Sequence, residues 1–318
     1  MHLTLDSCGL EELPDLTRMQ IQHLSAKYNK LRFIDSDPFP RTVESINMHK
    51  NYLHTTNIFG NQVLPLLKKL DFGLNSIAHI HDIVLGAPAL QTLILVKNDI
   101  TQLSNLQDTQ IEELSVCCNP ITFLDGIPSR IKILNANECN IRMTQSRLPD
   151  TLEELYMVAN RLKFGGLPLS FGNSLRVLSL SYNELQKFPR KLPDTLEILL
   201  LNDNFITEMP PTLPRNLHTL ILSNNKIRSI PDYLRSNRIS LLFLSENQIT
   251  TIDTPDWAIY TEMKDNWNTA LHYRSVNKVI RFWRLYRLQK RLRILYRTRR
   301  LRNELLEVSM HPDRYGQF

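Results

Sequence analysis

Five segments, "TLEELYMVANRL", "SLRVLSLSYNEL", "TLEILLLNDNFI", "NLHTLILSNNKI" and "SLLFLSENQI", are written on one frame. The frame is apolar, two variable, apolar, one variable, apolar, two variable, Asn, one variable, apolar. Its Asn recurs as Asn29, Asn51, Asn75, Asn98, Asn119, Asn160, Asn183, Asn204, Asn225 and Asn247, and Cys8 and Cys139 fall in the same phase. That makes twelve repeats spaced 20 to 24 residues apart. A unit so short cannot bury its own apolar face, so successive units must stack into one continuous core. The recurring Asn is expected to form a buried ladder whose amides satisfy backbone groups of adjacent turns. Cys8 and Cys139 would then be small buried thiols in that ladder. Twelve short strands at ~4.8 Å spacing predict a strand face about 55 Å along its arc.

On this frame, residues 1–253 resemble the leucine-rich repeat family. The resemblance implies a right-handed solenoid with one short parallel strand per repeat on the concave face. The connecting segments carry proline: "IPSR" at 127–130, "LPDT" at 148–151 and 192–195, "LPRN" at 213–216. Proline lacks a donor and fixes φ, which predicts a turn-rich, irregular convex side in place of long helices. The repeat length is similar to that of the short-repeat subclass known from bacterial effectors and some viral proteins. In effectors of that type a ubiquitin-ligase domain with a nucleophilic Cys can follow the repeats. No cysteine follows Cys139 here, so that activity does not carry over.

Charge divides the chain. Residues 255–318 hold fourteen basic and six acidic residues, a net +8 of the overall +6, which leaves residues 1–254 at −2. Such asymmetry points to an interaction tail on a nearly neutral body. "MHLTLDSCGL" has no basic start followed by an apolar run, and no stretch approaches the roughly 18 apolar residues that would span a bilayer. With four cysteines and no N-x-S/T acceptor, the chain reads as intracellular with reduced thiols, virion packaging being the alternative.

The sequence offers little chemistry. His79, His81 and Asp82 in "HIHD" present two or three metal ligands, but no further cluster completes a site. Cys117 and Cys118 follow a strand core without a local basic partner to lower their pKa, which argues against a nucleophile. Neither GxGxxG nor GxxxxGK[ST] occurs. The expectation is a non-enzymatic protein with no catalytic residue, cofactor or metal.

Alternate strand residues face opposite sides, so the variable strand positions are the candidate contact surface. One such column reads Ser25, Asn47, Asp71, Ile94, Ser115, Asn135, Tyr156, Ser179, Leu200, Ile221, Phe243: polar early, apolar late. Two residues upstream the same trend gives Val177, Ile198, Thr219, Leu241. Val177, Ile198, Leu200, Ile221, Leu241 and Phe243 together predict an apolar concave patch on the last repeats. Such a patch marks an interaction site, unless the chain's own tail covers it.

"DTPDWAIYTEM" predicts a helix start, with Thr254 as N-cap, Pro255 first and Asp256 in the first turn. Trp257, Tyr260, Met263, Trp267 and Leu271 then form one stripe, predicting a helical cap over 254–273. Residues 274–318 follow as a basic amphipathic helix and tail. From Arg274 to Arg302 there are twelve Lys or Arg and no Asp or Glu. At helical pitch Val276, Val279, Ile280, Phe282, Trp283 and Tyr286 share one face. From residue 285 the apolar stripe, Leu285, Leu288, Leu292, Leu295 and Tyr296, lies on the opposite side. Two docking surfaces are implied, with Trp283, Tyr286, Leu288, Leu292 and Leu295 as contacts. Arg281, Arg284, Arg287, Lys290, Arg291, Arg293, Arg297 and Arg300 would meet an anionic partner.

The function expected is a protein–protein interaction scaffold whose basic helix docks a second, acidic protein surface. Nucleic-acid binding through the tail stays open, as does an anionic membrane. The terminal "RLRNELLEVSMHPDRYGQF" also resembles C-termini of proteins from large DNA viruses, which would imply a minor capsid or virion-associated component.

Overall fold

A computed structural model describes residues 1–34, 37–54, 62–80, 85–103, 106–145, 147–236, 239–249 and 260–262. Strands of two or three residues punctuate the chain: β1 (His2–Thr4), β2 (His23–Ser25), β3 (Ser45–Asn47), β4 (Lys69–Asp71), β5 (Thr92–Ile94), β6 (Glu113–Ser115), β7 (Phe123–Leu124) and β8 (Ile133–Asn135). They continue as β9 (Met143–Thr144), β10 (Glu154–Tyr156), β11 (Val177–Ser179), β12 (Ile198–Leu200), β13 (Thr219–Ile221), β14 (Leu241–Phe243) and β15 (Tyr260–Glu262). All but β7 and β9 join one parallel sheet of 13 strands in chain order. Pairing runs middle residue to middle residue, Leu155 on Leu178 on Leu199. This is the stacked solenoid that the repeat demands.

Each repeat is built alike. The middle strand residue points inward; Leu24, Leu155 and Leu199 are buried. The residue after the strand is also inward: Ala26, Met157 and Leu201 are fully buried. The chain must then turn out of the strand within three residues. In all twelve repeats the residue before the ladder position, from Ser7 to Glu246, has φ between 52° and 58°, and none is glycine. The left-handed region costs an L-residue energy, so something must hold it. Its N–H is tied to the next turn, as in Tyr28 N to His49 O at 3.0 Å and Asp203 N to Ser223 O at 3.0 Å.

The Asn ladder is present. Asn51 Nδ2 donates to Ala26 O of the preceding turn at 3.0 Å and to Met48 O of its own at 3.1 Å, while Asn51 Oδ1 accepts from Leu31 N at 3.1 Å. The same pattern reaches Asn247, which donates to Leu222 O and Leu244 O and accepts from Ile227 N. Cys139 keeps only half of the role. Its Sγ donates to Val116 O at 3.1 Å and Asn137 O at 3.2 Å, but a thiol is a weak acceptor. Ile121 N, the donor an Asn here would have satisfied, turns to Asn119 O within its own turn. Cys139 is buried as expected, whereas Cys8 is exposed. Among the described residues the Cys8 thiol reaches only a carbonyl of its own turn, Asp6 O at 3.5 Å.

One correction concerns the end of the solenoid. Within the segment 254–273, read above as a helical cap, Tyr260–Glu262 forms β15 and pairs in register with β14, Leu241 on Tyr260 and Phe243 on Glu262. The edge of β14 exposes unpaired backbone groups that a following strand satisfies. The local capping signals are worth only about 1 kcal/mol each. The rest of that segment, and the tail from residue 274 on, lie outside the described residues.

Candidate interaction surface

The sheet's outward face has three zones. At its head, one residue before several of the strands, lie charged and polar side chains that pair along the stack. Lys68 Nζ lies 3.1 Å from Glu44, Lys132 Nζ 2.7 Å from Glu112, and His218 Nε2 3.7 Å from Glu197. Pairing with Lys68 holds the Glu44 carboxyl below the usual carboxylate range. A row that satisfies itself has little charge left for a partner.

The second zone is the polar stretch of β2–β4, and it is less open than alternation alone suggests. Asp71 is 1% exposed and Asn47 is buried. Asp71 Oδ1 accepts from Gly73 N at 3.1 Å and Oδ2 from Asn47 Nδ2 at 3.4 Å. The His49 ring closes over them, with Nδ1 3.7 Å from Asp71 Oδ1. Gly73 makes this arrangement feasible, since a Cβ there would sit 2.7 Å from His49 Nδ1. The outward-facing Asn47 and Asp71 are therefore a buried polar cluster, a side-chain effect that no backbone periodicity reports.

The third zone contains the apolar patch. Register places Val177, Ile198, Thr219 and Leu241 in one row and Ser179, Leu200, Ile221 and Phe243 in the next. The six residues read from the sequence are thus brought onto four adjacent strands. Ile198, Leu200, Ile221, Leu241 and Phe243 are half-buried. Val177 departs from the expectation: it is buried, between Glu154 and Ile198 in the register.

Beside the patch, left-handed positions form a rim. Asp203 accepts from Asn202 Nδ2 at 2.6 Å and from Asn224 Nδ2 at 2.7 Å. The carboxylate of Asp203, with burial and Glu246, raises the Tyr182 hydroxyl above its ordinary value.

Thiol chemistry is unfavourable where the sequence placed its paired cysteines. Burial pushes Cys117, Cys118 and Cys139 up to about 12, and the Glu138 carboxylate adds to this at Cys118. The thiolate is the nucleophile, so alkylation of the folded protein at neutral pH is expected to label Cys8 alone. Mass mapping after a brief iodoacetamide pulse checks this, and label at Cys118 before unfolding would contradict it. His79 is described, but His81 and Asp82 lie outside the described residues. Among the described residues no three His, Cys, Asp or Glu converge as metal ligands.

The profile of the Leucine Rich Repeat family matches residues 216–237, the repeat containing β13 and Asn225. That segment has the same in-register strand and ladder bonds as the other repeats that carry Asn at the ladder position. One repeat is thus assigned to the family by its sequence, and the turns around it share the fold of leucine-rich repeat solenoids. The chain is 29% identical to mouse podocan-like protein 1 over 209 residues, which cover 60% of this chain and 37% of that protein. It therefore spans little more than a third of that relative's length. Among solved structures it is similar to YopM from Yersinia enterocolitica, with a TM-score of 0.57 at 24% identity over 80% of this chain and 62% of that one. The leucine-rich repeat domain of APL1B superimposes with a TM-score of 0.67 at 22% identity over 79% of this chain and 78% of that one. At such identities the likeness is one of fold. Leucine-rich repeat solenoids serve as binding scaffolds through extended strand faces. No helix of the described residues is long and apolar enough to cross a membrane.

The tail contacts Trp283, Tyr286, Leu288, Leu292 and Leu295 lie outside the described residues. So do the cations from Arg281 to Arg300 and the terminal stretch likened to viral proteins. Sequence reasoning missed one arrangement altogether, the small parallel sheet β7–β9 on the flank, where Phe123 faces Met143.

Proposed function

We propose that this protein is a non-enzymatic scaffold that binds a protein partner through the outward face of β11–β14. The observation that carries this is the register, which fuses Ile198, Leu200, Ile221, Leu241 and Phe243 into one apolar surface across neighbouring parallel strands. Half-buried apolar side chains in a contiguous block are what a partner desolvates most favourably. The polar pairs at the head of the strands frame this block. The tail extends the same reading: its basic segment brings a second, acidic protein surface to the end of the solenoid. Four free cysteines are in keeping with a reducing, intracellular setting.

Leu200→Asp and Phe243→Asp are expected to remove a partner without unfolding the solenoid. Proteins captured on the wild-type chain would be compared with those captured on each variant, alongside thermal unfolding. A partner lost with both variants at an unchanged midpoint supports the strand face. Loss of cooperative folding would mean that these side chains are core, and undiminished capture would move the site elsewhere. Tail-dependent oligonucleotide binding that collapses between about 50 and 200 mM salt would favour nucleic acid as the tail's partner.

A further inference from the structure

Four residues past the ladder position, three successive turns carry Phe123, Met143 and Phe164. Phe123 pairs with Met143 across β7–β9. The 3-10 turn Phe164–Gly166 packs against Arg142 and Met143, where Gly166 has no room for a side chain. Phe123 and Met143 are 43% and 55% exposed. One residue earlier come Thr122, Arg142 and Lys163, with Arg142 N donating to Thr122 O at 2.9 Å. An apolar row and a polar row with two cations, Arg142 and Lys163, therefore run side by side along the stack.

More cations surround them. Arg161 is exposed, and Lys187, Arg190 and Lys191 are exposed on the following turn. The Arg190 guanidinium lies over the Phe164 ring at 4.5 Å. Against these six cations the described residues set Glu184, at 3.5 Å from Lys163 Nζ, with Asp125 two residues past Phe123 and Glu208 four past the ladder position of the turn after Lys187. A body of nearly neutral charge thus carries a concentrated positive field on one flank.

We infer that this flank is a second docking face, and that its occupant is an acidic amphipathic helix of a partner protein. The match is one of charge and pitch. Turns repeat every 4.7–4.9 Å along the stack, and residues three or four apart on a helix lie ~5–6 Å apart. A helix laid across three turns would set its apolar stripe on Phe123, Met143 and Phe164. Glu or Asp beside that stripe would reach Arg142, Lys163 and Arg161. Single-stranded nucleic acid is held in a charged groove, and this open flank provides none. The inference is independent of the strand face, which lies on a different side of each turn.

The test uses the full chain and a labelled synthetic helical peptide with Leu at i, i+3, i+7 and Glu flanking them. Because the tail would also attract an acidic probe, the decisive comparison is between flank variants that share the same tail. Arg142→Glu with Lys163→Glu, and separately Phe123→Ser with Met143→Ser, are each expected to weaken peptide binding at least tenfold. Leu200→Asp should leave it unchanged. Equal thermal midpoints show that the folds are intact. No binding to the wild-type chain, or binding by the flank variants as tight as that of the wild-type chain, overturns the inference. So would flank-dependent binding of phosphatidylserine vesicles or of a single-stranded oligonucleotide in preference to the peptide. A strand-face failure with an intact flank effect would sink only the preceding proposal.

Discussion

Asn119→Ala is expected to destabilise the protein by about 4 kcal/mol, because it orphans several buried backbone groups at once. Asn119 is 2% exposed. Its Nδ2 donates to Leu95 O at 2.8 Å, Val116 O at 2.9 Å and Cys117 O at 3.2 Å, and its Oδ1 accepts from Ile100 N at 3.0 Å. An unsatisfied buried group costs roughly 1–3 kcal/mol, and the alanine leaves no room that water reaches easily. The chain contains its own control. Cys139 holds the same position with a donor but no amide acceptor, so Asn119→Cys is expected to cost about half as much. Urea unfolding of the three proteins measures this. Equal losses for Ala and Cys would show that the ladder acts by shape and not by hydrogen bonding.

Gly166→Ala is expected to cost roughly 3 kcal/mol or more, at the upper end for overpacking. A Cβ at Gly166 would fall on the Arg142 carbonyl oxygen and 3.1 Å from its carbon. That obstacle is backbone, which cannot rotate aside as a side chain does. The Arg142 segment is also held by its bond to Thr122 O and by the β7–β9 pairing. Gly165, its neighbour, meets nothing within 4 Å, so Gly165→Ala should stay within about 0.5 kcal/mol of wild type. Denaturant midpoints of the pair decide the matter. A tolerated Gly166→Ala would mean that the flank turn is loosely attached, which would also weaken the case for a preformed flank surface.

The repeat was legible because its two strongest constraints are both inward-facing. Apolar residues at fixed offsets and a polar amide six residues past each strand start leave few alternatives to a stacked turn. The same frame hides in the terminal segment: Asn266 follows Asn247 by 19 residues, with Ala258 and Thr261 where other repeats have larger apolar residues and Met263 where Met48 and Met157 stand in theirs. There a three-to-four-residue apolar spacing imitates a helix, and only the unpaired edge of β14 distinguishes the readings. The rows of strand residues from Ile198 to Phe243 were legible in the same way, since parallel register carries strand positions directly into rows. Phe123, Met143 and Phe164 had a signal too, each lying four residues past a ladder position, but the flank follows no strict apolar frame that would mark it.

By itself, then, the sequence determined the number and phase of the twelve repeats, the stacking direction, the ladder and the apolar row. All of these follow from short-range periodicity repeated in register. The tertiary structure alone decided what neighbouring turns do to one another's side chains. It closes His49 over Asp71, buries Val177, leaves Cys8 exposed and sets Arg142 and Lys163 beside Phe123, Met143 and Phe164. These outcomes depend on which side chains on adjacent turns are large, small or charged, and that adjacency exists only once the turns are stacked.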